Sequence, residues 1–360
     1  MTDPATLYTK IQLQLQQCLP FVAYRNPEST ALNLLFQQDH TLHTIKDYTE
    51  RGFIVAPFHQ DQDTLLIPYK HHISCPDEQY ATDSPNPAIP QYPKSDRDAH
   101  LQLIAKGIAA IKKGRFKKVV LSRATTVNIS HLNVIQVYKK LLTAYPTAFC
   151  YLWFHPQTGL WMGATPETLL TLKDNHLETM ALAGTQKFKG TLHPIWSEKE
   201  KEEQRLVTRF IVDSLRPVVH DTEVSRVHTI RAGNLLHLRT RITATLPNAK
   251  CNIQHIINVL HPTPAVCGYP REAAKQFIIA HENYNRHLYT GFLGTLNVSD
   301  TNTQDTQKQS SIYVNLRCMK ISDHKATVYT GGGITAASIP EHEWQETLNK
   351  AQTMLKVLPG

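Results

Sequence analysis

Carboxylates and cations recur in this sequence at positions where ordinary packing would place apolar side chains. In the segment 197–215, Glu200 and Glu203 fall in line with a stripe that continues through Val207 and Phe210. In the closing segment, Glu343, Glu346 and Lys350 keep helical spacing beside Trp344, Leu348, Ala351 and Leu355. A carboxylate in line with an apolar stripe either sits at its wet end, where the helix dipole favours it, or binds something. Glu167 stands between Pro166 and a strand, where an unpaired carboxylate is costly if buried. Lys118 stands at the mouth of the apolar run Val119, Val120, Leu121. Arg317 interrupts the run SIYVNLRCMKI at a position that faces inward or into a cleft. Ala183, Gly184 and Thr185 form a small-residue turn that lets a ligand approach the backbone. Gly331, Gly332 and Gly333 follow a strand, but they form neither GxGxxG nor a P-loop and give no nucleotide signature. Taken singly, each of these is an ordinary cap, strand flank or solvated charge.

The elements that must position them are read from periodicity. Residues 261–294 pair a stiff segment, Pro262 to Pro264, with Gly268 and a helix opened by Pro270. Ala274, Phe277, Ile278 and His281 follow, then the cluster from Glu282 to Arg286, then a strand-like YTGFLG. The stretch reads as a wall shaped for a ligand, or as a plain loop, helix and strand. Asp3 and Pro4 open a first helix with Leu7, Ile11, Leu15 and Cys18 on one face. Residues 21–70 read as strands. Residues 73–94, with five prolines, read as a loop or linker. Ser95 is expected to cap a helix that carries Leu101, Ile104, Ile108 and Ile111 and closes at Gly114. Strands are expected at 117–129, in a hairpin across 147–163, over 218–246 and after 311. Ser197 and Glu200 form a capping box. Ile253, Ile256, Ile257 and Leu260 mark a helix, and another follows Pro340. The polar stretch 297–310 reads as a mobile hairpin loop. Irregular alternation with many hairpins favours an α/β (α+β) architecture with large antiparallel sheets over a doubly wound sheet.

Composition narrows the function classes. With 41% hydrophobic and 19% charged residues the chain is an ordinary globular protein. No apolar run reaches membrane-spanning length and the N-terminus has no signal-peptide pattern, so a cytoplasmic protein with no membrane partner is expected. Six cysteines show no CxxC pairing, which gives no zinc knuckle or disulfide framework. The net charge of +8 is dispersed, without an RNP, zinc-finger or basic-arm pattern. No nucleic-acid partner is expected, and an acidic small substrate fits the charge.

The motifs become specific in combination. KVVLSR at 118–123, GATPE at 163–167, ALAGT at 181–185 and EQRLV at 203–207 appear in order. HPTPAVCGYP at 261–270, ENYNRHLYTG at 282–291, VNLR at 314–317, GGGI at 331–334 and PEHEWQETLNK at 340–350 follow. This order resembles the chorismate-utilising enzyme family, which includes anthranilate, aminodeoxychorismate, salicylate and isochorismate synthases. The resemblance covers about 118–357, and residues 1–95 only as a reduced N-terminal part. It implies one large domain with a central cleft: antiparallel sheets flanked by helices, residues 96–360 catalytic, and residues 1–95 packed on that core.

The resemblance also implies chemistry. Lys118 matches the lysine that activates water in the isochorismate- and salicylate-forming members, where the ammonia-using members carry Gln. Ala183 stands where many aminodeoxychorismate synthases carry a nucleophilic Lys. The implied reaction is a Mg²⁺-dependent conversion of chorismate to isochorismate: water adds at C2 as the C4 hydroxyl leaves. Salicylate formation with pyruvate loss is the alternative enzyme reading, and a non-catalytic binding protein of the same fold is a third. By resemblance Lys118 is the base and Glu167 the acid. Glu203 and Glu346 are the Mg²⁺ ligands, with Glu200 and Glu343 holding metal-bound water. Arg317 and Tyr289 hold a substrate carboxylate. Lys350 and the backbone near Gly184, Gly331, Gly332 and Gly333 complete the anion site, with Thr185 and Ala265 beside it. His261 orients the ring or braces the wall. Gln204 replaces a common histidine and GGGI a common GAGI. No glutaminase subunit is implied, and a monomer is expected.

Overall fold

Residues 149–155, FCYLWFH, alternate between two buried faces. Phe149, Tyr151 and Trp153 join one apolar cluster, and Cys150 and Leu152 join another. A strand buried on both faces needs a layer against each, at roughly 1.5–3 kcal/mol for each large side chain removed from water. The computed structural model shows these layers within the residues it describes, 3–59, 61–78, 92–129, 132–247, 253–299 and 308–359.

The chain opens with α1 (Pro4–Gln16), β1 (Phe21–Arg25), β2 (Ala31–Phe36), β3 (Gly52–Ala56), β4 (Leu65–Pro68) and β5 (His72–Pro76). It continues through α2 (Lys94–Lys112), β6 (Lys118–Asn128), α3 (Val134–Ala144), β7 (Phe149–His155), β8 (Gly159–Thr165), β9 (Thr168–Lys173) and β10 (His176–Lys187). Next come α4 (Glu198–Leu215), β11 (His220–Val224), β12 (His228–Ala232) and β13 (Leu235–Thr245). The last part holds α5 (Ile253–Leu260), β14 (Gly268–Tyr269), α6 (Arg271–His281), β15 (Phe292–Ser299) and β16 (Lys308–Val314). It closes with β17 (Cys318–Ser322), β18 (Lys325–Ile334) and α7 (Pro340–Leu355).

Two antiparallel sheets result. The first runs β14-β6-β18-β17-β8-β7-β1-β2-β5, and the second runs β11-β13-β10-β9-β16-β15-β3-β4 with β12 also on β13. Between them lies an aromatic core that includes Tyr24, Phe53, Phe149, Trp153, Trp161, Tyr313 and Tyr329. Helices α1, α3 and α7 cover the outside of the first sheet through Leu7, Tyr138, Leu141 and Met354. Helices α4 and α5 cover the second through Val207, Ile211, Ile256 and Ile257. Helices α2 and α6 close over Val119, Leu121 and Ile334. The strands before residue 95 divide between the sheets, with β1, β2 and β5 in the first and β3 and β4 in the second. No helix among the described residues is long and apolar enough to cross a membrane.

Several local expectations change. The supposed linker 73–94 begins inside β5, which pairs with β2, while 79–91 lie outside the described residues. Helix α2 starts at Lys94 behind Pro93 and has no side-chain cap, so Ser95 falls inside it. SIYVNLRCMKI is two strands in different sheets, because the chain crosses over between Val314 and Cys318. The glycine run lies within β18, paired with Val120, Leu121 and Ser122. The Ala183 to Thr185 segment is an irregularity inside β10 rather than a turn. The strand in YTGFLG begins only at Phe292. Of the supposed mobile loop, 300–307 lie outside the described residues, and its flanks belong to β15 and β16. The cap at Asp3 and the Ser197–Glu200 capping box are present.

Candidate active site

Two of the points where the chain crosses between the sheets carry a charged residue. Glu167 lies between β8 of the first sheet and β9 of the second; Arg317 lies between β16 of the second and β17 of the first. Backbone bonds pin the crossings to neighbouring strands. Val314 N–H donates to the Glu167 carbonyl at 3.0 Å, and Ala164 N–H donates to the Arg317 carbonyl at 3.0 Å. Glu167 and Arg317 line one cavity with Lys118, Glu203, Glu346, Lys350, Gly184, Thr185, Ala265, Tyr289, Gly331 and Gly333.

Lys118 opens β6, and its backbone pairs with Tyr269 on β14. The side chain passes over Gly333, where a Cβ would lie 2.9 Å from Lys118 Cε and 3.4 Å from Nζ. A side chain at that position would push the amine aside. Lys118 is 2% exposed, and burial drives its pKa down while Glu203 opposes the shift. Glu167 is 4% exposed, and burial pushes its carboxyl up to about 8, against the fields of Lys118, Lys350 and Arg317. Both groups are thus displaced toward their uncharged forms.

Helices α4 and α7 bring the other carboxylates. Burial pushes Glu203 up, and Glu346 and Glu343 add to this while Lys118 and Lys199 oppose it. Burial acts the same way on Glu346, but Lys350, 2.6 Å away, together with Lys199 and Arg317, outweighs it and holds that carboxyl below its usual range. Lys350 Nζ also donates to the Gly331 carbonyl at 2.9 Å. Among the described residues no group of three or more His, Cys, Asp or Glu forms a ready-made metal cluster. The carboxylates that line the cavity beside Glu167 are Glu203 and Glu346.

Four predicted residues stand outside the cavity lining. The Glu200 carboxylate serves the capping box and accepts from Gln186 Nε2 at 2.9 Å. Glu343 is buried under α7 and paired with Lys199, whose Nζ also lies 3.8 Å from Glu203. Gly332 presents the opposite face of β18, toward Glu343 and Glu346. His261 shares a hydrogen bond between Nε2 and the Thr290 carbonyl at 2.9 Å, bracing the wall from behind.

Sequence reasoning missed two groups. His237 on β13 lines the cavity. Its Nδ1–H donates to the Gly184 carbonyl at 2.8 Å, which leaves Nε2 to face Arg317 Nη2 at 3.5 Å. Burial, then Arg317, lower its pKa to about 3, so the ring is neutral. The available signal was a histidine between leucines on an alternating strand. The second group is the buried pair Glu282–Arg286, 2.7 Å apart. Arg286 donates to the carbonyls of Val120 at 2.7 Å and Val266 at 3.0 Å, and Glu282 accepts from Ser122 N–H at 2.7 Å. Val120 and Val266 line the cavity, so this pair holds two of its walls in register.

A family model described as "Chorismate binding enzyme" matches residues 46–359. The chain belongs to this family. It is 31% identical over 274 residues to the isochorismate synthase MenF of Escherichia coli K12, covering 73% of this chain and 61% of that protein. It is 30% identical over 264 residues to the salicylate biosynthesis isochorismate synthase of Pseudomonas aeruginosa, covering 71% of this chain and 53% of that protein. The matched region therefore spans somewhat over half the length of these relatives. The fold is shared with the solved structure of MenF, the menaquinone-specific isochorismate synthase of Escherichia coli, at TM-score 0.78 and 24% identity over 94% of this chain and 88% of that one.

Proposed function

We propose that the protein converts chorismate to isochorismate. The observation that carries this reading is a buried lysine and a buried carboxyl on one cavity, each displaced toward its uncharged form. A neutral amine and a protonated carboxyl are what general base and general acid catalysis need near neutral pH. Water attacks C2 of the ring as Lys118 Nζ takes its proton. The ring double bonds shift, the C4–O bond breaks, and Glu167 gives its proton to the departing hydroxyl, which leaves as water. One water enters and one leaves, so the net change is an isomerisation. Lys118 ends as a cation and Glu167 as an anion, and solvent returns the proton. Lys118 selects water over ammonia, so no glutaminase subunit is required.

Arg317 is the partner for a substrate carboxylate, with Tyr289 and Lys350 lining the same cavity. Charge balance bears on a metal. With Lys118 and Glu167 uncharged, Glu203 and Glu346 balance Arg317 and Lys350. A dianionic substrate then adds two negative charges to a poorly solvated space, which is costly unless cations offset them. Mg²⁺ fits this donor set because it takes carboxylate oxygens and keeps several waters. Glu203 and Glu346 would hold it, and it would neutralise a substrate carboxylate as a Lewis acid. The matched relatives named isochorismate synthase support the same reading. The test is incubation with chorismate, with Mg²⁺ and with a chelator, followed by chromatography. Isochorismate formed only with metal is expected. Salicylate would mean that pyruvate is also eliminated, and unchanged chorismate would overturn the proposal.

A further inference from the structure

A second cavity adjoins the first, and Arg317 and Pro166 line both. The outer cavity holds about 380 Å³, the inner one about 80 Å³. Passage from one cavity to the other goes by their shared wall, Pro166 and Arg317. Proline cannot swing. Arg317 can, because its Nη1 contact with the Lys350 carbonyl, 3.4 Å, and its Nη2 contact with His237, 3.5 Å, are long for charge-assisted bonds.

The outer cavity is cationic. Besides Arg317, Arg231 on β12 lines it from an exposed position and Arg239 on β13 from a half-buried one. Its one lining carboxylate is Glu28, which is exposed. Arg231 donates to the Gly233 carbonyl at 2.8 Å and lies 4.0 Å from the centre of the Phe188 ring. Arg239 donates to His228 Nε2 at 3.0 Å. Both guanidinium groups are therefore held in place by a carbonyl and a ring nitrogen, and among the described residues neither has an ion pair with a carboxylate. A cleft lined by one sign of charge concentrates ions of the other sign and raises their association rate.

We infer that this outer cavity is an anion-collecting antechamber. A dicarboxylate of the size of chorismate is gathered by Arg231 and Arg239 and passes Arg317 to reach Lys118 and Glu167. The inference rests on the function proposed above. The experiment is stopped-flow measurement of chorismate association from intrinsic fluorescence, at low and high ionic strength. It compares the wild type with R231Q/R239Q and R231E/R239E, each checked for native circular dichroism. At low salt the charge-reversed pair should associate on the order of tenfold more slowly, with its salt dependence lost or inverted. The neutralised pair should fall between, and decides the matter if the charge-reversed pair does not fold. Dissociation rate and kcat should stay within about twofold of the wild type, since steering acts on association. Association rates and salt slopes equal to the wild type would overturn the antechamber, as would a loss confined to kcat. A wild type that binds chorismate without turning it over defeats the proposed reaction alone, and the same rate comparison then still decides the antechamber. A wild type that does not bind chorismate defeats both.

Discussion

Replacing Glu167 by glutamine should make the protein more stable while removing its activity. The carboxyl is 4% exposed, and burial raises its pKa from the ordinary 4.5 to about 8. Because the folded value lies above the unfolded one, the stability associated with this group is fully present below about pH 4.5. It is lost as pH rises to about 8, since over that range the folded chain binds a proton that the unfolded chain has released. At about 1.4 kcal/mol for each pH unit, the loss is about 3 kcal/mol at pH 7 and about 5 kcal/mol above pH 8. Glutamine has the same shape and does not titrate. The stability difference between E167Q and wild type should therefore be flat in acid, climb through neutral pH and level off above about pH 8. Urea unfolding followed by far-UV circular dichroism across this range measures it. Turnover by E167Q should fall ~10²-fold or more, because the departing hydroxyl loses its proton donor. A stability difference independent of pH would refute the argument, since the group would then titrate alike in both states.

Lys118→Gln should lower isochorismate formation by ~10²–10⁴-fold while chorismate still binds, and near wild-type turnover would remove the base assignment. Glu203→Ala and Glu346→Ala should each weaken Mg²⁺ binding, measured by calorimetry, and abolish turnover at ordinary Mg²⁺; full activity in chelator speaks against the metal. Arg317→Lys keeps the charge but loses the fork geometry, so kcat/KM should drop by a factor corresponding to about 2 kcal/mol. An unchanged kcat/KM places Arg317 outside the substrate contacts.

Helix faces were legible in the sequence because they repeat locally. The capping box, the stripe through Val207 and the closing helix all follow from spacing. Glu343 was legible as a helix position but not as a buried one, because its partner Lys199 comes from another helix. Neither the crossing at Glu167 nor the one at Arg317 was legible. VNLRCMKI reads as one continuous strand, and only pairing of its two halves with different partners divides it. Burial of Lys118 was equally hidden, since a lysine flanking a strand is ordinarily solvated and its amine lies against Gly333 and near Glu203 of helix α4. His237 escaped because its role depends on the Gly184 carbonyl of the neighbouring strand.

The crossings at Glu167 and Arg317 bear on how the chain matures. Each residue is placed by strands from both sheets, and the two crossings lie far apart along the chain. Such non-local contacts form late and slowly in folding. A chain with helices and hairpins formed but with its sheets undocked holds neither Glu167 nor Arg317 in position. If Glu167 and Arg317 act as proposed, turnover is expected only from chains in which the aromatic core between the sheets has closed.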